Sequence, residues 1–317
     1  MHNRRPVSGP RAPITRGESS RQNPVAQAEL AHLERSTRRS ARLFTRGFAL
    51  ALGVSLLLGL GLGLMARSGS LTSVNLRENY LFFREVLRHA NTALTLMLLL
   101  GHIVLMWETL LAAADSITRE KRAGTWDTLV LTPLTAWQIA DGKWWGVQAY
   151  IYRQQTGLIV LRVATFLWLI LSSPHETMGV VALLVAFTLA LAIMALNLAL
   201  AAALGLVASF ASRILSPVAI ALCGYVTSIL VHFGAHLLLF QPLLPGPRDA
   251  TGFAASAMAV ALLDGGTLLS THLASFSDSR YLFALLRILP VSVILYAGLT
   301  GVCLLLARWH AMRHSAT

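Results

Sequence analysis

Apolar residues along this chain gather into long, nearly uninterrupted runs separated by short polar stretches. Crossing a hydrocarbon layer about 30 Å thick takes roughly 20 helical residues at 1.5 Å each. Runs of that length predict spans at 43–65, 91–114, 156–175, 179–208, 214–240 and 286–307. The first run opens near Leu43, and its length marks a span rather than a cleavable signal. The apolar piece 253–263 is too short to cross and lies between the Pro/Gly-rich 241–248 and Asp264-Gly265-Gly266. It predicts a re-entrant or interfacial segment within an outer loop, 241–285. Residues 1–22, rich in Arg, Pro, Gly and Ser, predict a disordered basic tail. In 23–42, Val25, Ala28, Leu30 and Leu33 recur at a rough helical period before Arg35, Arg38, Arg39 and Arg42. That pattern predicts an amphipathic helix lying on an anionic leaflet. The expected fold is therefore an all-α polytopic membrane protein of about six spans.

Composition agrees with this reading. Apolar residues make up 55% of the 317 and charged residues only 13%, about half what an ordinary globular chain carries. The net charge of +12 is not spread over a soluble domain, as nucleic-acid binding would require: ten basic residues precede Gly47 and most others flank the runs. With the N-terminus inside, the inner segments hold 17 Arg and Lys against 7 in the outer loops, which predicts both termini in the cytoplasm and a bacterial inner-membrane setting. Cys223 and Cys303 both sit in apolar runs, which excludes a disulfide framework and a Cys-rich metal site. No internal repeat supports an inverted-repeat transporter.

The polar segment 115–143, between the second and third runs, carries the most information. Thr125 is placed to cap a short helix with Trp126, Leu129 and Val130 on one face. Pro133 ends that helix, and Thr135 with Gln138 forms the pattern of a capping box for the next one, which runs through Lys143 and Trp144-Trp145 into the third span. The same segment resembles the signature of the ABC-2 family, the permease subunits of ATP-binding cassette exporters. The resemblance is carried by Glu120, Lys121, Gly124 and Thr125, by Leu129, by Thr132-Pro133-Leu134-Thr135 and by Gly142-Lys143. Trp126 and Asp127 replace the family's usual Leu and Glu, and Thr135 its usual Ser. Asn23-Pro24-Val25 is similar to the entry of the family's elbow helix.

The resemblance implies a transport subunit, not an enzyme. Two such chains, identical or closely related, would form the pathway and two separate ATPase subunits would dock beneath. Glu120–Leu131 would be the coupling segment, with Gly124 permitting a tight backbone entry, Trp126 an apolar anchor, and Glu120 and Asp127 pairing with basic groups on the partner or on Lys121 and Arg122. ATP and Mg would belong to the partner, since no Gly-x-x-x-x-Gly-Lys-Ser/Thr loop occurs here and Gly142-Lys143 runs straight into Trp144. Glu108 and Arg162 fall within apolar runs and are candidates for an intramembrane pair, either structural or lining a pathway. No span shows a polar pattern that selects a cargo, and the aliphatic interior leans only mildly toward an amphiphilic or hydrophobic one.

Two other readings compete. His102, His232 and His236 lie in apolar runs, with His232 and His236 one turn apart, and two imidazoles on different spans are a donor set for haem in an electron-transfer protein. Histidines bonded to backbone or to Tyr225 are the alternative. A membrane subunit that anchors partners without moving cargo is also compatible with the pattern. His175-Glu176 is not followed by the spacing of a zinc hydrolase.

Overall fold

A computed structural model describes residues 23–35, 76–172, 177–211, 216–240 and 279–315. These residues form seven helices, with no strand among them: α1 (24–35), α2 (Leu76–Ala123), α3 (Trp126–Val130), α4 (Ala136–Ser172), α5 (Thr177–Ala211), α6 (Pro217–Phe240) and α7 (Ser279–Ser315). The chain is a multi-span, α-helical membrane protein.

The centre of the bundle is α5, which touches α2, α4, α6 and α7. Its sequence explains the position. An Ala/Leu helix without a polar face can be buried all round, and the small Ala residues let neighbouring backbones come close. Ala201, Ala202 and Ala203 are all fully buried. At Gly205 a methyl group would lie 2.7 Å from Ala113 Cβ and 2.8 Å from the Leu110 carbonyl oxygen, so only glycine permits this α2–α5 contact. By contrast, Leu100, Leu230 and Ile294 are more than half exposed on α2, α6 and α7, a surface suited to lipid.

Among the described residues three helices are long and apolar enough to cross a membrane: Leu98–Ala123, Phe187–Ala211 and Leu289–Arg313. They coincide with the spans expected at 91–114, 179–208 and 286–307. The runs expected at 156–175 and 214–240 fall on α4 and α6, neither of which is among those three; the apolar stretch of α6 among the described residues is the shorter Pro217–His232. The span at 43–65, the tail 1–22, the end of the amphipathic helix at 36–42 and the segment at 253–263 lie outside the described residues.

Three boundaries differ from the sequence expectation. Helix α2 begins at Leu76, ahead of the span expected from 91, and α7 begins at Ser279, within the loop expected to reach 285. The third is the far end of α2. The polar segment is expected to begin at Asp115, yet α2 continues to Ala123. Polar residues do not end a helix when its buried stripe persists, and Ser116 and Ile117 remain fully buried against the bundle. Ser209 of α5 supports this extension, its hydroxyl accepting from the Ile117 and Thr118 amides at 3.1 Å.

Candidate functional site

The polar end of the bundle is built from the end of α2, the short helix α3, the start of α4, and α1. Gly124 ends α2. Its φ of +67° is the left-handed conformation that glycine adopts without the cost of a Cβ. Its amide donates to the Lys121 carbonyl at 3.2 Å, and the Thr125 amide donates to that of Glu120 at 3.0 Å, the paired bonds of a Schellman stop. Thr125 precedes α3 but makes no side-chain cap, contrary to the sequence expectation. Its hydroxyl donates to the Glu120 carboxylate at 2.5 Å instead, since the tight Gly124 turn brings that acceptor within reach.

The next helix starts as its sequence predicts. The Thr135 amide donates to Gln138 Oε1 at 2.9 Å and the Gln138 amide to Thr135 Oγ1 at 3.3 Å, a reciprocal capping box. From there α4 runs unbroken to Ser172.

Across this turn lies α1. Asn23 begins it, accepting from the Val25 amide at 2.9 Å and donating to the Gln138 carbonyl at 2.7 Å. Its inner face rests on Gly142 and Gly146. A methyl at Gly142 would sit 2.7 Å from Val25 Cβ, and one at Gly146 2.6 Å from Glu29 Cβ and 3.0 Å from the Ala26 carbonyl oxygen. The Gly142-x-x-x-Gly146 spacing thus forms the seat for α1.

This close approach brings four charges together, two of them buried and two at the edge of solvent. Lys143 Nζ donates to Glu29 Oε2 at 2.6 Å and to Glu120 Oε1 at 2.8 Å. Arg119 Nη2 donates to both oxygens of Glu29, at 3.0 and 2.8 Å. Two carboxylates and two cations balance, which is the condition under which charges tolerate burial. The side chains of Glu29 and Lys143 are only 1% and 4% exposed. A groove of about 550 Å³ opens over the network, lined in part by Val25, Ala28, Leu129 and Leu134.

Farther along α1, Arg153 pairs with Glu34. Asp141 takes a bidentate pair from Arg308 of α7, both bonds 2.9 Å, and Arg308 lies 4.8 Å from the Trp137 ring.

Trp126 is turned into the bundle. It is 8% exposed, meets Phe210 edge-on with centroids 5.8 Å apart, and packs with Ile117, Ile139, Ala307 and Ala311. It joins α3 to α2, α4, α5 and α7, while Leu129 and Val130 only edge this cluster. The outward side of the segment carries Lys121, Asp127, Leu131 and Pro133, with Leu131 85% exposed.

Of the residues singled out by sequence, Glu120, Gly124, Thr125 and Lys143 meet in one unit. Glu108 and Arg162 do not. Gly101 of α2 faces Leu158 of the antiparallel α4, so Arg162 lies one turn beyond that contact and Glu108 about two turns the other way, roughly 16 Å apart along the axis. His102 Nε2 lies 3.3 Å from the Asn197 amide nitrogen, whose own oxygen accepts from Tyr225 at 2.7 Å. His232 directs Nδ1 at the Ser228 carbonyl, 3.1 Å away. Both imidazoles are thus engaged by the bundle, and no group of three His, Cys, Asp or Glu suited to a metal occurs among the described residues. The His236 side chain is outside them.

Sequence reasoning missed Glu29, Arg119, Gly146 and the Asp141–Arg308 pair. Gly142-x-x-x-Gly146 was the available signal for the α1 seat; the pairs made by Glu29 and the Asp141–Arg308 pair join residues 90 or more positions apart and leave no local trace. Compared with known proteins, the chain matches no family model, no curated protein and no solved structure.

Proposed function

We propose that this chain is the membrane-spanning subunit of an ATP-driven exporter in a bacterial inner membrane, with both termini cytoplasmic. It pairs with a second permease subunit and couples to a separate ATPase that carries ATP and Mg. One observation carries the reading. The separate pieces of sequence that resemble the ABC-2 signature, Asn23–Val25, Glu120–Thr125, Thr132–Thr135 and Gly142-Lys143, converge in a single charge-locked unit at one end of the bundle. A rigid unit of this kind, carrying an exposed short segment and tied through Trp126 to four helices, suits the transfer of a partner's motion into the membrane.

The partner contact falls to Asp127, Leu131 and Pro133, the outward positions, rather than to Trp126. Gentle purification of the tagged chain from its native membrane is expected to yield a P-loop ATPase near one-to-one. Leu131→Asp with Asp127→Arg is expected to lower that recovery at least tenfold while membrane insertion stays normal. Undiminished ATPase recovery and transport in the double variant would sink the coupling assignment. Trp126→Asp is a poor test, because it places a charge in the core.

A further inference from the structure

Three polar side chains lie on one stripe of α4. Gln148, Gln155 and Arg162 are spaced seven residues apart, so they fall on the same helical face over roughly 21 Å. All three are buried, at 1%, 1% and 2% exposure. Gln148 donates to the Leu198 carbonyl at 3.3 Å, but its Oε1 has no hydrogen-bond partner among the described residues. Gln155 has none there for either its oxygen or its nitrogen. On neighbouring helices His102 Nδ1 and the Tyr296 hydroxyl are buried in the same condition.

A buried amide without partners is costly, and in a bilayer no lipid can supply one. Apolar side chains fill most of the surrounding bundle, yet α4 repeats an amide at the next heptad position. We infer that this stripe is a hydrated seam: ordered water occupies the interior along Gln148 and Gln155 and gives their orphaned amide atoms hydrogen bonds. Buried water characteristically bridges otherwise unsatisfied polar groups, with two to four bonds each. The seam is a polar route into a bundle whose outer surface is apolar. It does not depend on the exporter reading, since no ATPase enters the argument.

Cysteine accessibility to silver ion, a probe that enters water-width paths, tests the inference in native membrane vesicles. In a chain carrying Cys223→Ala and Cys303→Ala, the variants Gln148→Cys and Gln155→Cys are compared with Leu158→Cys and Leu161→Cys, equally buried apolar sites on the same helix. Val160→Cys, on the exposed side, reports the lipid-facing background. Blocking by silver is followed by maleimide counting after denaturation. Reaction at the two Gln positions at least tenfold faster than at the Leu positions is expected. Equal rates overturn the seam. Gln155→Leu gives an independent check: in a wet seam its Tm is unchanged or lower, whereas a dry site loses an unsatisfied amide and its Tm rises, which also overturns the inference.

Discussion

Lys143 illustrates what one residue can decide in this structure. It donates to Glu29 and Glu120 at once, from a position almost closed to solvent. Removing one member of a buried pair leaves a carboxylate short of partners and costs about 3–5 kcal/mol in general. Here Glu29 keeps Arg119, so Lys143→Met is expected to cost toward the lower end, about 3 kcal/mol. Combined with Glu29→Gln, the loss is expected to be less than the sum of the two single losses by at least about 1 kcal/mol. Thermal unfolding of the four proteins in detergent checks it, and strict additivity would show that the two groups are independent. Gly124 makes a contrasting case. A methyl group there would meet nothing within 4 Å, so only the positive φ opposes a side chain. Gly124→Ala is expected to lower stability by about 1–2 kcal/mol, with Gly124→Asn milder, as read by the same unfolding measurement.

At the scale of elements, contact between α1 and α4 depends on the absence of side chains. Gly146→Val would drive a branched side chain into Glu29 Cβ and the Ala26 carbonyl, and overpacking of this kind costs about 1–3 kcal/mol. The expected result is release of α1 from its seat, measured as loss of a disulfide cross-link between Asn23→Cys and Gln138→Cys; an undiminished cross-link would mean that α1 is held by its charges alone. Much of this region was readable in advance. Pro133, the Thr135/Gln138 box and the run of α4 into the bundle follow from local rules, because caps and breaks are made by neighbours in sequence. Thr125 misled because its hydroxyl had two partners within reach and the stronger, charged acceptor won. Trp126 misled in another way: an apolar face on a short helix says that something covers it, but not whether the cover is a partner or the chain's own Phe210.

For the whole molecule, hydropathy located the helices but not where each stops, since α2 runs on through Asp115 while its buried stripe lasts. Hydropathy did not separate the central helix from a membrane-facing one: the apolar windows of α5 and α7 are about equally hydrophobic, yet 67% of the first is buried against 22% of the second. What composition left out is the long-range pairing, Glu29 with Lys143 and Asp141 with Arg308, which locks both sides of the polar end. The uninterrupted length of α2 has a mechanical consequence. At 48 residues it spans roughly 72 Å, and the close approach of Gly205 to Ala113 is one clamp on it. If that clamp acts as a fulcrum, α2 is a lever with arms of roughly 15 Å toward Ala123 and 55 Å toward Leu76. A displacement of 1 Å at the Glu120–Gly124 end then swings the opposite tip by between three and four times as much.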